Sequence, residues 1–65
     1  MSSTAQIIEG SNYKRLESDN RQLRDDPHHR REFHKYLEQV FIRGVDKPET
    51  YGELESAYKD FLRTL

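Results

Sequence analysis

The chain has 65 residues, with 11 lysines and arginines against 12 aspartates and glutamates, so its formal net charge is −1 at pH 7. A chain of this length forms one domain at most and buries only about 60% of the surface that its unfolded form exposes. The absence of cysteine excludes disulfides and thiolate metal sites, and the near-zero net charge gives no overall attraction to nucleic acid or to acidic lipid.

Residues 1 to 10 are predicted to form a flexible tail. A helix of about six residues that ends at Gly10 is marginal on its own. Ile7 and Ile8 are the apolar exception in this polar stretch. Two interpretations stay open for them: they dock on the body of the protein, or they offer a short hydrophobic contact to another molecule.

The N-terminus has no basic segment followed by an apolar run, as a secretory signal requires. No stretch approaches the roughly 18 apolar residues of a membrane span. We therefore expect a soluble, cytoplasmic protein with no membrane contact.

The next predicted element is a charged helix over residues 12 to 25. Tyr13, Leu16, Asn20 and Leu23 follow one another at spacings of three, four and three, which is the seam spacing of a coiled coil with an asparagine at one seam position. Two heptads are fewer than a coiled coil needs for identification from its pattern. This helix therefore either packs on the other helices of the same chain, or joins two copies of the chain, or is largely disordered.

The clearest element is a helix over residues 27 to 43. Asp26 can accept hydrogen bonds from the free amides of the first turn, and Pro27 fits the first helical position. Gly44 is suited to a left-handed cap of the Schellman type at the other end. Between the caps, apolar residues recur at helical spacing: Phe33, Tyr36, Leu37, Val40, Phe41 and Ile42.

A connection that contains Pro48 leads to a last helix, predicted over residues 51 to 65. Thr50 and Glu53 have the spacing of a capping box, which marks the helix start. Its apolar stripe is Tyr51, Leu54, Ala57, Tyr58, Phe61, Leu62 and Leu65.

These elements predict an all-α fold, with one small helical domain over residues 11 to 65. The short connection favours an antiparallel αα-hairpin over residues 27 to 65 with facing apolar stripes. The helix before it is predicted to be an additional N-terminal helical arm that either covers the hairpin or projects from it.

The three histidines, His28, His29 and His34, do not have the i, i+4 spacing of a helical metal site. We expect solvated histidines and no bound metal. Three extra positive charges near a helix N-terminus oppose the helix dipole, which predicts some loss of stability below about pH 6.

No serine lies in a turn that resembles a nucleophile elbow, and the three glycines do not form a phosphate-binding loop. Two or three packed helices of this size leave little room for a substrate cleft. The expected protein is not an enzyme and has no cofactor and no small-molecule substrate.

Two functions remain. The first is a protein-binding module that acts as a regulator, adaptor or inhibitor, either on a larger protein or as a homodimer. The chain has four tyrosines and three phenylalanines, and aromatic residues with arginine are enriched at interface hot spots. The candidate partner-binding residues are Tyr13, Leu16, Asn20, Leu23, Arg30, Arg31, His34 and Lys35.

The alternative is a transcriptional regulator that binds nucleic acid through the basic segment from 28 to 35. Arg31 and Lys35 share one helix face, and Arg30 and His34 lie beside them. The acidic balance of the last helix opposes this hypothesis, since a helix in the major groove lies close to phosphates.

Overall fold

The computed structural model describes residues 7 to 41 and 46 to 65 of the chain. The helices in these ranges are α1 (Ser11–Asp19), α2 (Arg21–Asp25), α3 (Pro27–Val40) and α4 (Tyr51–Arg63). Residues 7 to 9, before α1, are also helical, and the described ranges contain no strand. The predicted all-α class is confirmed. None of the helices in the described ranges has the length and apolar character needed to cross a membrane.

The starts of α3 and α4 are fixed by side-chain caps. The Asp26 carboxylate accepts hydrogen bonds from the backbone amides of His28 at 3.0 Å and His29 at 3.2 Å. Thr50 Oγ1 accepts one from the Glu53 amide at 3.2 Å, and the Glu53 carboxylate accepts one from the Thr50 hydroxyl at 3.2 Å. Both caps predicted from the sequence are confirmed, and each satisfies amides that a helix start leaves without partners.

The end of α3 differs from the prediction. The helix stops at Val40, and Phe41 leaves the helical conformation with φ −113° and ψ 83°. Val40 is 47% exposed, although the apolar stripe assigned it to the core. The predicted cap at Gly44 lies outside the described residues.

The predicted helix over residues 12 to 25 is two helices, because the chain breaks at Asn20. Its backbone is extended, with φ −121° and ψ 100°, and its side-chain amide donates to the Leu16 carbonyl at 2.8 Å. A short amide side chain competes with the backbone for such carbonyls. The asparagine therefore lies at a break between two helices.

The core takes side chains from all four helices. Its buried hydrophobic residues are Ile7, Tyr13, Leu16, Leu23, Phe33, Leu37, Leu54, Ala57, Tyr58 and Phe61. Helix α4 packs against α1 and α3, and α2 packs against the same two helices. The segment predicted to be an additional arm thus supplies part of the one core. Leu62 and Leu65, assigned to the core stripe, are exposed at 39% and 74%.

Polar contacts between sequence-distant residues hold α4 beside α1. The Tyr51 hydroxyl donates to the Asp19 carboxylate at 2.9 Å, and the Arg15 guanidinium lies 4.3 Å from the centre of the Tyr51 ring. The Asn12 side-chain amide donates to the Glu49 carbonyl at 3.3 Å. These contacts connect α1 at the surface to α4 and to Glu49, which precedes α4.

The predicted flexible tail falls partly outside the described residues. Within them, Ile7 is 8% exposed and belongs to the core, and the partly buried Ile8 packs against that core. Of the two interpretations left open for this pair, the structure shows docking on the body of the protein.

Candidate functional site

The most distinctive feature of the interior is a group of six aromatic and histidine side chains, which we call the ring cluster. It consists of Tyr13, His29, Phe33, His34, Tyr58 and Phe61. Phe33 lies at its centre: its ring centroid is 6.1 Å from that of Tyr13 and 5.0 Å from that of Tyr58. The cluster therefore joins α1, α3 and α4.

His29 and Tyr58 form the inner pair of this cluster. The Tyr58 hydroxyl lies 2.7 Å from His29 Nε2, and the two rings meet edge to face at 89°. His29 is only 4% exposed, with the Phe61 ring centroid 5.4 Å away. Because the Asp26 cap holds the amide of His29 in the first turn of α3, the helix start positions this imidazole for the contact.

Tyr13 and His34 form the outer pair. Here too the tyrosine hydroxyl lies 2.7 Å from the histidine Nε2. Tyr13 is buried and its ring stacks on Phe33 at an interplanar angle of 15°, whereas His34 is half-buried. The outer pair thus lies at the edge of the core.

Burial shifts the titration of three of these side chains. It raises the pKa of Tyr58, and it raises the pKa of Tyr13 further, with a contribution from nearby Glu17. For His34, burial followed by the positive charge of Arg30 lowers the pKa below its usual 6.5. Each shift favours the uncharged form, as expected for groups withdrawn from water.

The two histidines of the ring cluster lie apart from three surface grooves. Three grooves of about 200 to 280 Å³ lie on the described surface, and neither His29 nor His34 lines any of them. The described residues also contain no group of three or more histidine, aspartate or glutamate side chains that could hold a metal ion.

The fold buries three of the four predicted seam residues in the core. Tyr13, Leu16 and Leu23 are 2%, 0% and 0% exposed and contact the chain's own core, while Asn20 is half-buried at the bend between α1 and α2. This matches the interpretation in which α1 packs on other helices of the same chain. A seam between two copies would require these side chains to leave the core.

The basic candidates lie on α3 in three different settings. Arg31 is exposed, and Lys35 is exposed but pairs with Glu32 at 3.3 Å. Arg30 is half-buried, and its guanidinium donates to the Arg24 carbonyl at 3.3 Å. The fourth candidate on this helix, His34, is directed to Tyr13. Three of the four side chains of the predicted basic surface therefore contact other groups of the same chain.

The prediction of solvated histidines is wrong for His29. His29 lies four residues before Phe33 and therefore on the same helix face. That spacing indicates that His29 faces the core. Histidine is intermediate in burial among residue types, so its type alone does not indicate a core position. The tyrosine that satisfies its ring nitrogen is 29 residues away, so no local pattern connects them.

Comparison with models of protein families, with curated proteins and with solved structures finds no match to this chain.

Proposed function

We propose that this chain is a non-enzymatic protein-binding module, a regulator, adaptor or inhibitor, that docks a larger protein on an apolar surface beside α3 and α4. The observation that carries the proposal is the exposure of large hydrophobic side chains: Val40 is 47% and Leu65 is 74% exposed. Burial of such side chains against a partner is favourable because it removes apolar surface from water.

The proposed docking surface is a groove between α3 and the end of the chain. Its apolar lining comes from Tyr36, Phe61 and Leu65, with Gln39 on its side, and its volume is about 270 Å³. Val40 follows Tyr36 by one helical turn and extends the same face. In this proposal α3 and α4 pair as an antiparallel hairpin, and α1 and α2 form the helical segment that supports it from behind.

Charge favours a partner whose apolar side chain is flanked by acidic residues. Residues 27 to 43 carry four lysines and arginines against two glutamates. Arg31 and Lys35 are exposed on α3. Lys35 lines the groove, where it is paired with Glu32 at 3.3 Å. Opposite charge at the rim of an interface steers association and sets specificity.

The test selects binders from a random peptide library displayed on phage, using the full chain as target. We expect selected peptides to combine a large apolar residue with flanking acidic residues, and to lose at least about tenfold in affinity for Leu65→Ser, a loss of roughly 1.4 kcal/mol. Leu62→Ser is the matched control, because Leu62 is 39% exposed but is not among the residues that line this groove.

Two results would contradict this proposal. One is a set of selected peptides that bind the parent, Leu65→Ser and Leu62→Ser equally. The other is a concentration-dependent dimer in light scattering that Leu65→Ser converts to a monomer, because the surface would then serve self-association.

The competing hypothesis is nucleic-acid binding through residues 28 to 35. The exposed Arg31 supports it, and the pairing of Lys35 with Glu32 and of Arg24 with Asp25 opposes it. Fluorescence polarisation with duplex DNA at low and moderate salt distinguishes the two. Binding that weakens steeply with salt and is reduced by Arg31→Ala would replace the protein-binding proposal.

A further inference from the structure

His34 is the histidine of the ring cluster that solvent can reach while the fold stays closed. It is half-buried on α3, and its Nε2 lies 2.7 Å from the Tyr13 hydroxyl of α1. The two rings are tilted at 59° with centroids 5.5 Å apart. A proton can therefore reach this imidazole without prior unfolding.

The charged groups that face His34 come from the two helices that meet there. Glu17 on α1 and Glu38 on α3 favour the imidazolium, whereas Arg30 on α3 opposes it. The other titratable neighbour is Tyr13, which is 2% exposed. Burial is the largest influence, and together with Arg30 it keeps the pKa of His34 below its usual value.

Protonation changes what the contact can do. A neutral imidazole can accept the proton of the Tyr13 hydroxyl at Nε2, but an imidazolium carries protons on both nitrogens and only donates. The buried hydroxyl then has to reverse its direction, and a positive charge lies against the edge of the core. Both changes weaken the side-chain contact that joins α1 to α3.

We propose that the contact between Tyr13 and His34 is an acid-sensitive connection between α1 and α3, which mild acid weakens through protonation of His34. This inference does not depend on the proposed protein-binding function. It also differs from the explanation based on the helix dipole. The dipole acts most strongly on His28 in the first turn of α3, whereas the proposed connection depends on His34.

The direction of the effect follows from the lowered pKa of His34. Below the usual value of 6.5 the unfolded chain binds a proton that the folded chain resists, so the unfolded state gains population. The stability from this group is complete above the unfolded pKa and is lost as the pH falls through the folded pKa. Each unit of lowering changes the unfolding equilibrium constant by about tenfold.

The first measurement is denaturant unfolding of the full chain at about pH 7.5 and about pH 5.5, which bracket the usual histidine pKa. The expected result is an unfolding constant several-fold higher at the lower pH. His28→Gln should keep this rise, since His28 is exposed on the same helix, and His34→Gln should reduce it, although the buried His29 remains in that variant. A rise that is as large in His34→Gln as in the parent, or that disappears in His28→Gln, would overturn the proposal.

The second measurement needs no variant and stands even if His34→Gln fails to fold. A proton NMR titration of the parent chain follows the ring signal of His34 and the signals of Tyr13. We expect the midpoint of His34 to lie below that of histidine in an unstructured peptide, and the Tyr13 signals to shift with the same midpoint. A midpoint at or above the peptide value would refute the proposed connection.

Discussion

The inner and outer histidine–tyrosine pairs have the same contact distance of 2.7 Å but different surroundings. In the inner pair both side chains are enclosed, with His29 at 4% and Tyr58 at 5% exposure. In the outer pair only Tyr13 is enclosed, and His34 keeps contact with water. The same kind of hydrogen bond therefore has different effects in the two places. Where water is excluded its loss is costly, and where water has access a water molecule can replace the lost partner.

The largest effect on stability is expected from removal of the Phe33 ring at the centre of the ring cluster. Phe33 is 0% exposed, so Phe33→Ala should cost about 3 to 5 kcal/mol of unfolding free energy, and Leu37→Ala or Phe61→Ala about 2 to 5 kcal/mol. In a domain this small such a loss can unfold the chain. Denaturant unfolding followed by circular dichroism measures it, with the exposed Val40→Ala as control. A Phe33→Ala protein as stable as Val40→Ala would show that the cluster is not the core.

Alkaline pH should destabilise both pairs. Because burial raises the pKa of Tyr13 and of Tyr58 above 10.0, the unfolded chain releases each proton first. The stability from each tyrosine is complete below about pH 10 and is lost as the pH rises through its folded pKa, by roughly 1.4 kcal/mol per pH unit for each group. Unfolding measured from neutral to strongly alkaline pH tests this. The slope should decrease in Tyr13→Phe and in Tyr58→Phe, and an unchanged slope in both would contradict the account.

Removal of one tyrosine hydroxyl at a time distinguishes the inner pair from the outer pair. Tyr58→Phe leaves a ring nitrogen of the enclosed His29 without its partner and should cost about 1 to 3 kcal/mol. Tyr13→Phe should cost less than about 1 kcal/mol, because water can reach the half-buried His34 and replace the lost contact. The same denaturant measurement at neutral pH ranks the two variants. Equal costs would show that solvent access does not distinguish the pairs.

The smallest effect is expected for a tyrosine contact at the surface. The Tyr51 hydroxyl donates to Asp19 at 2.9 Å in an exposed setting. Tyr51→Phe should therefore change the unfolding free energy by less than about 0.5 kcal/mol. Tyr51→Phe gives the change in unfolding free energy for loss of an exposed hydroxyl, with which Tyr13→Phe and Tyr58→Phe are compared. If it costs as much as Tyr58→Phe, burial does not determine the cost of losing a tyrosine hydroxyl.

The features that the sequence predicted correctly are local ones. The caps at Asp26 and Thr50 depend on residues two or three positions away, and Phe33, Leu37 and Phe61 are buried as their helical spacing indicates. The errors concern where one helix meets another. Val40 continues the apolar stripe but is exposed, because the limits of a contact depend on the crossing of two helices, which helical spacing does not specify.

The candidate site was less predictable for the same reason. A stripe of Tyr13, Leu16 and Leu23 has the same pattern whether it faces a second copy or the chain's own core, and only the packed structure distinguishes them. His29 follows the helical period, but the partner that makes its burial acceptable is contributed by α4. Sequence patterns record spacing along one helix, whereas the two histidine–tyrosine pairs depend on spacing between helices.

The contacts between α1 and α4 also have a consequence for the order in which the protein folds. Tyr51 reaches back 32 residues to Asp19, and Asn12 reaches forward 37 residues to Glu49. Contacts between residues this far apart close large loops and are expected late in folding. On a growing chain, α1 therefore lacks its contacts with α4 until α4 emerges from the ribosome. We infer that the contacts between α1 and α4 form only after α4 has been synthesised.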